Sequence, residues 1–232
     1  MIGIYDYTVV LTYLSLLSAG TGIVVSLGGH GHPFLGIFFL LFCGLCDAFD
    51  GKVASTKKNR SDTEKKFGIQ IDSLSDLIAF GVLPACIGAA FIRVSCAFGD
   101  MLNVDSGNWY SSLLKVIIFG ILILYILTAM IRLAYFNVTE EERQATETGS
   151  RKFYLGLPVT SASLIFPTVA LFQYLVPADL TWLYIVAVVI TGALFITPFK
   201  IKKLGLKGIL ALVGIGTAEF VALIIAFMVR HS

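Results

Sequence analysis

Two aspartates, Asp47 and Asp50, stand in the stretch CDAFDG (46–51), directly after the apolar run PFLGIFFLLFCGL (33–45). Two more, Asp72 and Asp76, open the next apolar run. A charge within a membrane span costs about 2.5–3.5 kcal/mol on insertion scales, so four carboxylates at span edges call for a function. Asp47, Asp50, Gly51 and Ala54 follow the offsets 0, 3, 4, 7; Gly68, Asp72, Ser75, Asp76 and Ala79 follow 0, 4, 7, 8, 11. Each set is one stripe of a helix, provided the second helix reaches back to Gly68. A single connection joins the two helices, which puts both carboxylate ends at the same membrane face. If the stripes face each other, four carboxylates converge beside a groove of Gly, Ala and Ser. They cannot all stay ionised without protonation or a counter-cation. Oxygen-only ligands suit Mg²⁺, Mn²⁺ or Ca²⁺ rather than Zn²⁺. Two such cations about 3.5–4 Å apart, bridged by shared carboxylates, form a clamp for phosphoryl chemistry. The small residues would let a phosphate-bearing ligand approach the backbone. Solvation at the interface is the competing account of a single helix-end aspartate. It suffices for Asp47 taken alone but not for two matched stripes.

The elements that must position these acids are membrane helices. Of 232 residues, 57% are hydrophobic and 14% charged, against about 25% charged in soluble domains, and mean hydropathy is +0.87. Runs long enough to span, roughly 20 apolar residues each, fall at 7–27, 33–54, 72–98, 111–137, 157–176, 180–198 and 208–229. The expected fold is therefore an all-α integral membrane protein, a polytopic bundle of about seven helices with six to eight allowed, because 180–198 is short. Residues 1–232 read as one transmembrane catalytic domain. MIGIYDY lacks the basic start of a cleaved signal, so the first span is expected to be retained. Lys57, Lys58, Arg60, Lys65 and Lys66 lie between spans two and three. Arg143, Arg151 and Lys152 lie between four and five, and Lys200, Lys202, Lys203 and Lys207 between six and seven. The loops 28–32, 99–110 and 177–179 have no Lys or Arg. The basic loops are expected in the cytoplasm, with the N-terminus and the acids on that side. The segment 139–150 reads as a polar cytoplasmic excursion. Cys43 and Cys46 form a C-x-x-C inside an apolar helix without further ligands, which points to packing.

The stretch DAFDGKVAS…GIQIDSLSD resembles the signature of the CDP-alcohol phosphotransferases, D-x-x-D-G-x-x-A-R-(x8)-G-x-x-x-D-x-x-x-D. Asp47, Asp50, Gly51, Ala54, Gly68, Asp72 and Asp76 match it position by position. There are two departures: Ser55 stands at the arginine, and the spacer 56–67 has 12 residues rather than eight. Arg60 and Lys58 are the candidates to supply the missing charge. DSLSDLIAFGVLPA (72–85), RLAYFNV (132–138) and FYLGLPVTSA (153–162) are similar to segments of bacterial and archaeal phosphatidylserine synthases. So is LTYLSLLSAGTG (11–22), with Ser15 where Asn is common. The resemblance implies a CDP-alcohol phosphotransferase fold in the cell membrane and transfer of a phosphatidyl group from CDP-diacylglycerol to L-serine, releasing CMP. It implies two divalent cations, Mg²⁺ or Mn²⁺ with Ca²⁺ as an alternative, held by Asp47, Asp50, Asp72 and Asp76. The resemblance also implies Asp76 as the general base. Gly51, Ala54 and Gly68 would line the CDP pocket. The partners implied are the two substrates, membrane lipids and a second copy of the chain, with no nucleic acid.

Other assignments stay open at this level. Thr12 and Ser15 offer hydroxyls to CDP or serve helix packing. Arg132 binds the acceptor's carboxylate or snorkels to the interface. Arg151 and Lys152 bind serine or lipid phosphate, or only set topology. Asn137 contacts the acceptor or caps its helix, and Pro158 is expected at the first position of span five. The nearest rival is a sister enzyme making phosphatidylglycerol phosphate or an inositol phosphate lipid. A divalent-cation transporter is the rival from another class, although its ligands would be expected near the midplane. A family member without catalysis, acting as a scaffold, is the third.

Overall fold

The computed structural model describes residues 3–28, 32–95, 109–146, 153–176, 178–202 and 206–231. Among them run seven helical rods: α1 (Val10–Leu27), α2 (Pro33–Thr56), α3 (Asp62–Val94), α4 (Trp109–Thr146), α5 (Ala162–Leu175), α6 (Thr181–Ile196) and α7 (Leu206–His231). Four of the apolar helical segments, Tyr7–Leu27, Pro33–Thr56, Asp62–Val94 and Trp109–Thr146, are long and apolar enough to cross a membrane, and three shorter apolar helices join them. Large apolar side chains also cover the outside, with Leu17 67%, Val24 70% and Val116 69% exposed. A surface of that kind is stable against lipid tails, not water. The chain is a multi-pass membrane protein.

Local chemistry sets the boundaries. The Asp6 carboxylate accepts from the Thr8 amide at 2.9 Å and caps a short 3₁₀ turn, Tyr7–Val9, that leads into α1. Pro33 occupies the first turn of α2, where its missing N–H costs nothing. Ser61 and Glu64 form a reciprocal capping box that starts α3. This helix begins ten residues before Asp72, where the third span was expected to open, so it includes Gly68 with room to spare.

Past Asp76 the α3 helix changes pitch. Leu77–Val82 is a π segment, and α-geometry resumes at Leu83. Pro84 has no N–H to give to the Phe80 carbonyl one turn back. Instead, Tyr125 of α4 donates its hydroxyl to that carbonyl at 2.7 Å, and Tyr184 of α6 donates to the Pro84 carbonyl at 2.8 Å. Both tyrosines are buried. A buried carbonyl left without a donor costs about 1–3 kcal/mol, so these two side chains hold the pitch change in place. Phe80, Leu83, Tyr125, Phe166, Tyr184 and Phe195 share the core around it.

Contacts define two ends. At one end, Lys57 reaches Asp6, Asn137 reaches Ser73, Arg132 reaches the Leu157 carbonyl, and strand β1 (Phe153–Leu155) pairs antiparallel with β2 (Lys200–Lys202). At the other, Arg93 donates to the Ser26 and Leu27 carbonyls, and Ser95 contacts Asp179. Successive rods therefore alternate in direction.

Three expectations need correction. The segment after 137 is helical through Thr146, because TEEERQAT lacks Gly and Pro and gains an Arg143–Glu140 pair at 2.6 Å. Asn137 therefore lies inside α4 and caps nothing. Pro158 is the N-cap of a 3₁₀ turn, Val159–Ser161, rather than its first residue. The small β pair was not expected, since strands of three residues carry no readable alternation. Arg151, Lys152, Lys203 and Cys96 lie outside the described residues. Cys43 and Cys46 are free and buried, as packing residues would be.

Candidate active site

The acids come together as the two stripes require. Ligand oxygens of Asp47 and Asp50 on α2 and of Asp72 on α3 all lie within 4.8 Å of one another, and the three residues are half-buried. The Asp50 and Asp72 carboxyl groups approach within hydrogen-bonding reach. Asp76, one turn further along α3, is buried at 8% exposure and stands outside that three-residue group. Its carboxylate still interacts electrostatically with Asp47, Asp72 and Asp50. The cluster is thus three acids at an opening with a fourth behind them.

Donor chemistry tests whether divalent cations fit. The group offers oxygens and no nitrogen or sulfur, and the acids enter no ion pair among the described residues. Carboxylates so close repel strongly in a medium of low dielectric. A hard dication coordinated by oxygens relieves that repulsion, so the residues present fit a divalent cation such as Mg²⁺, Mn²⁺ or Ca²⁺. Glycine at 51 points the same way. A Cβ built there would meet nothing within 4 Å, so protein packing gives no reason for its absence.

Neighbouring helices fix the stripes. Ser75 of α3 donates to the Thr12 carbonyl of α1 at 3.2 Å. Ser18 of α1 donates to the Phe39 carbonyl of α2 at 3.0 Å, and Cys43 of α2 to the Ser15 carbonyl at 3.3 Å. Thr12 and Ser15 are buried, and the Ser15 hydroxyl is enclosed without a hydrogen-bond partner among the described residues. Ala54 is half-buried and Ser55 exposed, its hydroxyl turned back to the Lys52 carbonyl at 2.7 Å.

The spacer between the stripes is folded around Glu64. Its carboxylate takes the Lys57 ammonium at 2.6 Å and the Ser61 amide at 2.7 Å, while its carbonyl accepts from Arg60 Nη2 at 3.2 Å. Lys57 also binds Asp6 at 2.7 Å. That ammonium pulls the Asp6 carboxyl down to about 2, and the two carboxylates push the Lys57 pKa up. The result for Arg60 is specific. A Cβ on Gly68 would sit 2.7 Å from its Nη2, so the guanidinium lies directly over Gly68, on the face that continues to Asp72 and Asp76. Lys58 is exposed.

The expected acceptor residues are placed in part. Arg132 is buried and donates to the Leu157 carbonyl at 3.1 Å, so it does not snorkel. Gly156, with φ +75°, makes the turn that presents this carbonyl; its backbone is close to the Phe195 and Thr197 carbonyls, and only glycine adopts that conformation without strain. The Asn137 amide donates to Ser73 at 2.7 Å, beside Asp72. Sequence reasoning missed Glu219, a buried acid of α7 in contact with the Thr168 hydroxyl of α5. A lone acid in an apolar helix was the available signal.

The profile of a family described as CDP-alcohol phosphatidyltransferase matches residues 8–199. A CDP-diacylglycerol–serine O-phosphatidyltransferase of Saccharomyces cerevisiae is 32% identical over 163 residues, covering 66% of this chain and 50% of that protein. One from Helicobacter pylori is 27% identical over 159 residues, 67% of this chain and 55% of its own. An archaetidylserine synthase of Methanothermobacter thermautotrophicus is 33% identical over 152 residues, 65% and 53%. The chain spans about half the length of these relatives.

Proposed function

The chain belongs to the CDP-alcohol phosphatidyltransferase family, and on that premise we propose that it transfers the phosphatidyl group of a CDP-lipid to the hydroxyl of L-serine, releasing CMP. The observation that carries this reading is the convergence of Asp47, Asp50 and Asp72 from two helices. The relatives' names support serine as the acceptor, and those names include both phosphatidyl and archaetidyl products. Residues 1–232 act as one catalytic domain.

Asp47, Asp50 and Asp72, with Asp76 behind them, would hold two divalent cations, Mg²⁺ or Mn²⁺, whose positive charge would stabilise the phosphate oxygens during transfer. Asp76 accepts the proton of the serine hydroxyl. The serine oxygen forms a bond to the phosphorus that carries the lipid, and the bond from that phosphorus to CMP breaks. Burial removes Asp76 from water and keeps its carboxylate beside the reacting groups. Gly51 and Ala54 border the space for the nucleotide, and Thr12 and Ser15 line its inner wall. Arg132 and Asn137 orient serine, Arg132 with charge for the carboxylate and Asn137 through its bond to Ser73. Arg151 and Lys152 add charge for the acceptor or the lipid phosphate. The site faces the cytoplasm, because three basic connections lead to the end of the bundle that holds it. The homodimer implied by the family resemblance rests on that resemblance alone.

CMP release by the purified protein with CDP-diacylglycerol, Mg²⁺ or Mn²⁺ and a panel of alcohols tests this. Release with L-serine is expected. Release with glycerol 3-phosphate or inositol phosphate alone would move the chain to a sister enzyme, and cation flux without any CDP-lipid would favour a transporter.

A further inference from the structure

Four carboxylates balanced by two dications leave no positive charge over, yet each phosphate of a CDP-lipid brings a negative charge of its own. Ser55, at the signature's basic position, supplies none. We propose that Arg60 is the phosphate-binding cation of this site and that the long spacer 56–67 folds as it does in order to deliver it. The proposal rests on the nucleotide reading of the preceding subsection and names a residue which that reading leaves unassigned.

Three observations carry it. First, position: the guanidinium lies over the Gly68 backbone, on the same helical face as Asp72 and Asp76, and Gly68 is the residue that leaves it room. Second, satisfaction: among the described residues Arg60 makes one hydrogen bond, from Nη2 to the Glu64 carbonyl, and no ion pair. Its Nε is enclosed without a partner. A guanidinium has five N–H donors in a planar fork suited to phosphate, and a half-buried one with a single bond is built for an acceptor that arrives. Third, anchoring: Glu64, which holds Arg60 by its carbonyl, is itself fixed by Lys57 and by the Ser61 capping box. Lys58, the other candidate in the spacer, is exposed.

The test is CDP binding to the full chain in detergent micelles with saturating Mg²⁺, alongside Mg²⁺ binding to the same samples. Arg60→Gln should weaken CDP about 10- to 100-fold, the size of one or two charge-assisted hydrogen bonds, while Mg²⁺ affinity stays equal or rises. Arg60→Lys should recover part of the loss. Lys58→Gln should bind CDP within about twofold of wild type, the scale of an exposed charge. Gly68→Ala should weaken CDP in the wild type but add little to Arg60→Gln, because both act on one guanidinium. Wild-type-like CDP affinity in Arg60→Gln overturns the inference and leaves the nucleotide reading standing. A parallel loss of Mg²⁺ affinity in both Arg60 variants also overturns it, by showing a structural role. Failure of the wild type to bind CDP removes the nucleotide reading itself.

Discussion

Asp6 and Glu64 share the Lys57 ammonium at 2.7 and 2.6 Å, whereas Asp47, Asp50, Asp72 and Asp76 enter no ion pair among the described residues. The two groups lie at the same end of the bundle and are joined by the spacer. The first is complete: every carboxylate has a cation, and the bonds tie the N-terminus to the start of α3. The second is incomplete as protein alone, since among the described residues no cation pairs with its acids. That difference separates charges that build the fold from charges that await a ligand.

The largest expected effect breaks the second group. Asp76→Asn should lower turnover by about 10²–10⁴-fold, the usual contribution of a general base. It should leave the thermal midpoint equal or higher, because a repelling charge is removed. CMP release and a melting curve in micelles read the two quantities, and full turnover in the variant would remove Asp76 from the mechanism. Next is removal of divalent cations. EDTA should abolish CMP release, and Mg²⁺ at about 100 times its dissociation constant should then raise stability by about 2.7 kcal/mol at one site. Asp72→Asn should lose most of that Mg²⁺-dependent rise, while Lys57→Ala should keep it.

The smallest effect sharpens the first group. The Lys57 ammonium lowers the Asp6 pKa from 3.8 to about 2, so the pair contributes stability in full above about pH 4. That contribution fades as pH falls through about 2, once the carboxylate is protonated in both states. The difference in thermal midpoint between wild type and Asp6→Asn should therefore be flat above pH 4, shrink toward pH 2 and narrow in high salt. A difference that grows on acidification would contradict the pairing.

The sequence made the two groups unequally legible. Asp47, Asp50, Asp72 and Asp76 lie at helical offsets within apolar runs, so periodicity alone aligned them and hydropathy located their helices. The location of Arg60 was hidden, because it depends on how the spacer folds around Glu64, through the Lys57 pair, the Ser61 capping box and the bond from Arg60 to the Glu64 carbonyl. Asn137 was read as a helix end because apolarity stops there, but helix propensity carries α4 on to Thr146. Ser73, its partner, has no individual signal in the chain. The pitch change after Asp76 follows from Pro84 only once Tyr125 is known to supply the missing donor.

That pitch change has a use beyond satisfying a carbonyl. An α-helix turns about 100° per residue, so one extra residue in a turn rotates everything above it against everything below. In α3 the lower half must bring Asp72 and Asp76 to the acids of α2, and the upper half must seat Leu83, Ile87 and Phe91 in the core. In an unbroken helix one azimuth would have to serve both. Leu77–Val82 acts as a phase adapter between them. Core substitutions in the upper half can then repack without re-aiming the acids, and the tyrosines that lock the adapter belong to helices carrying none of the four.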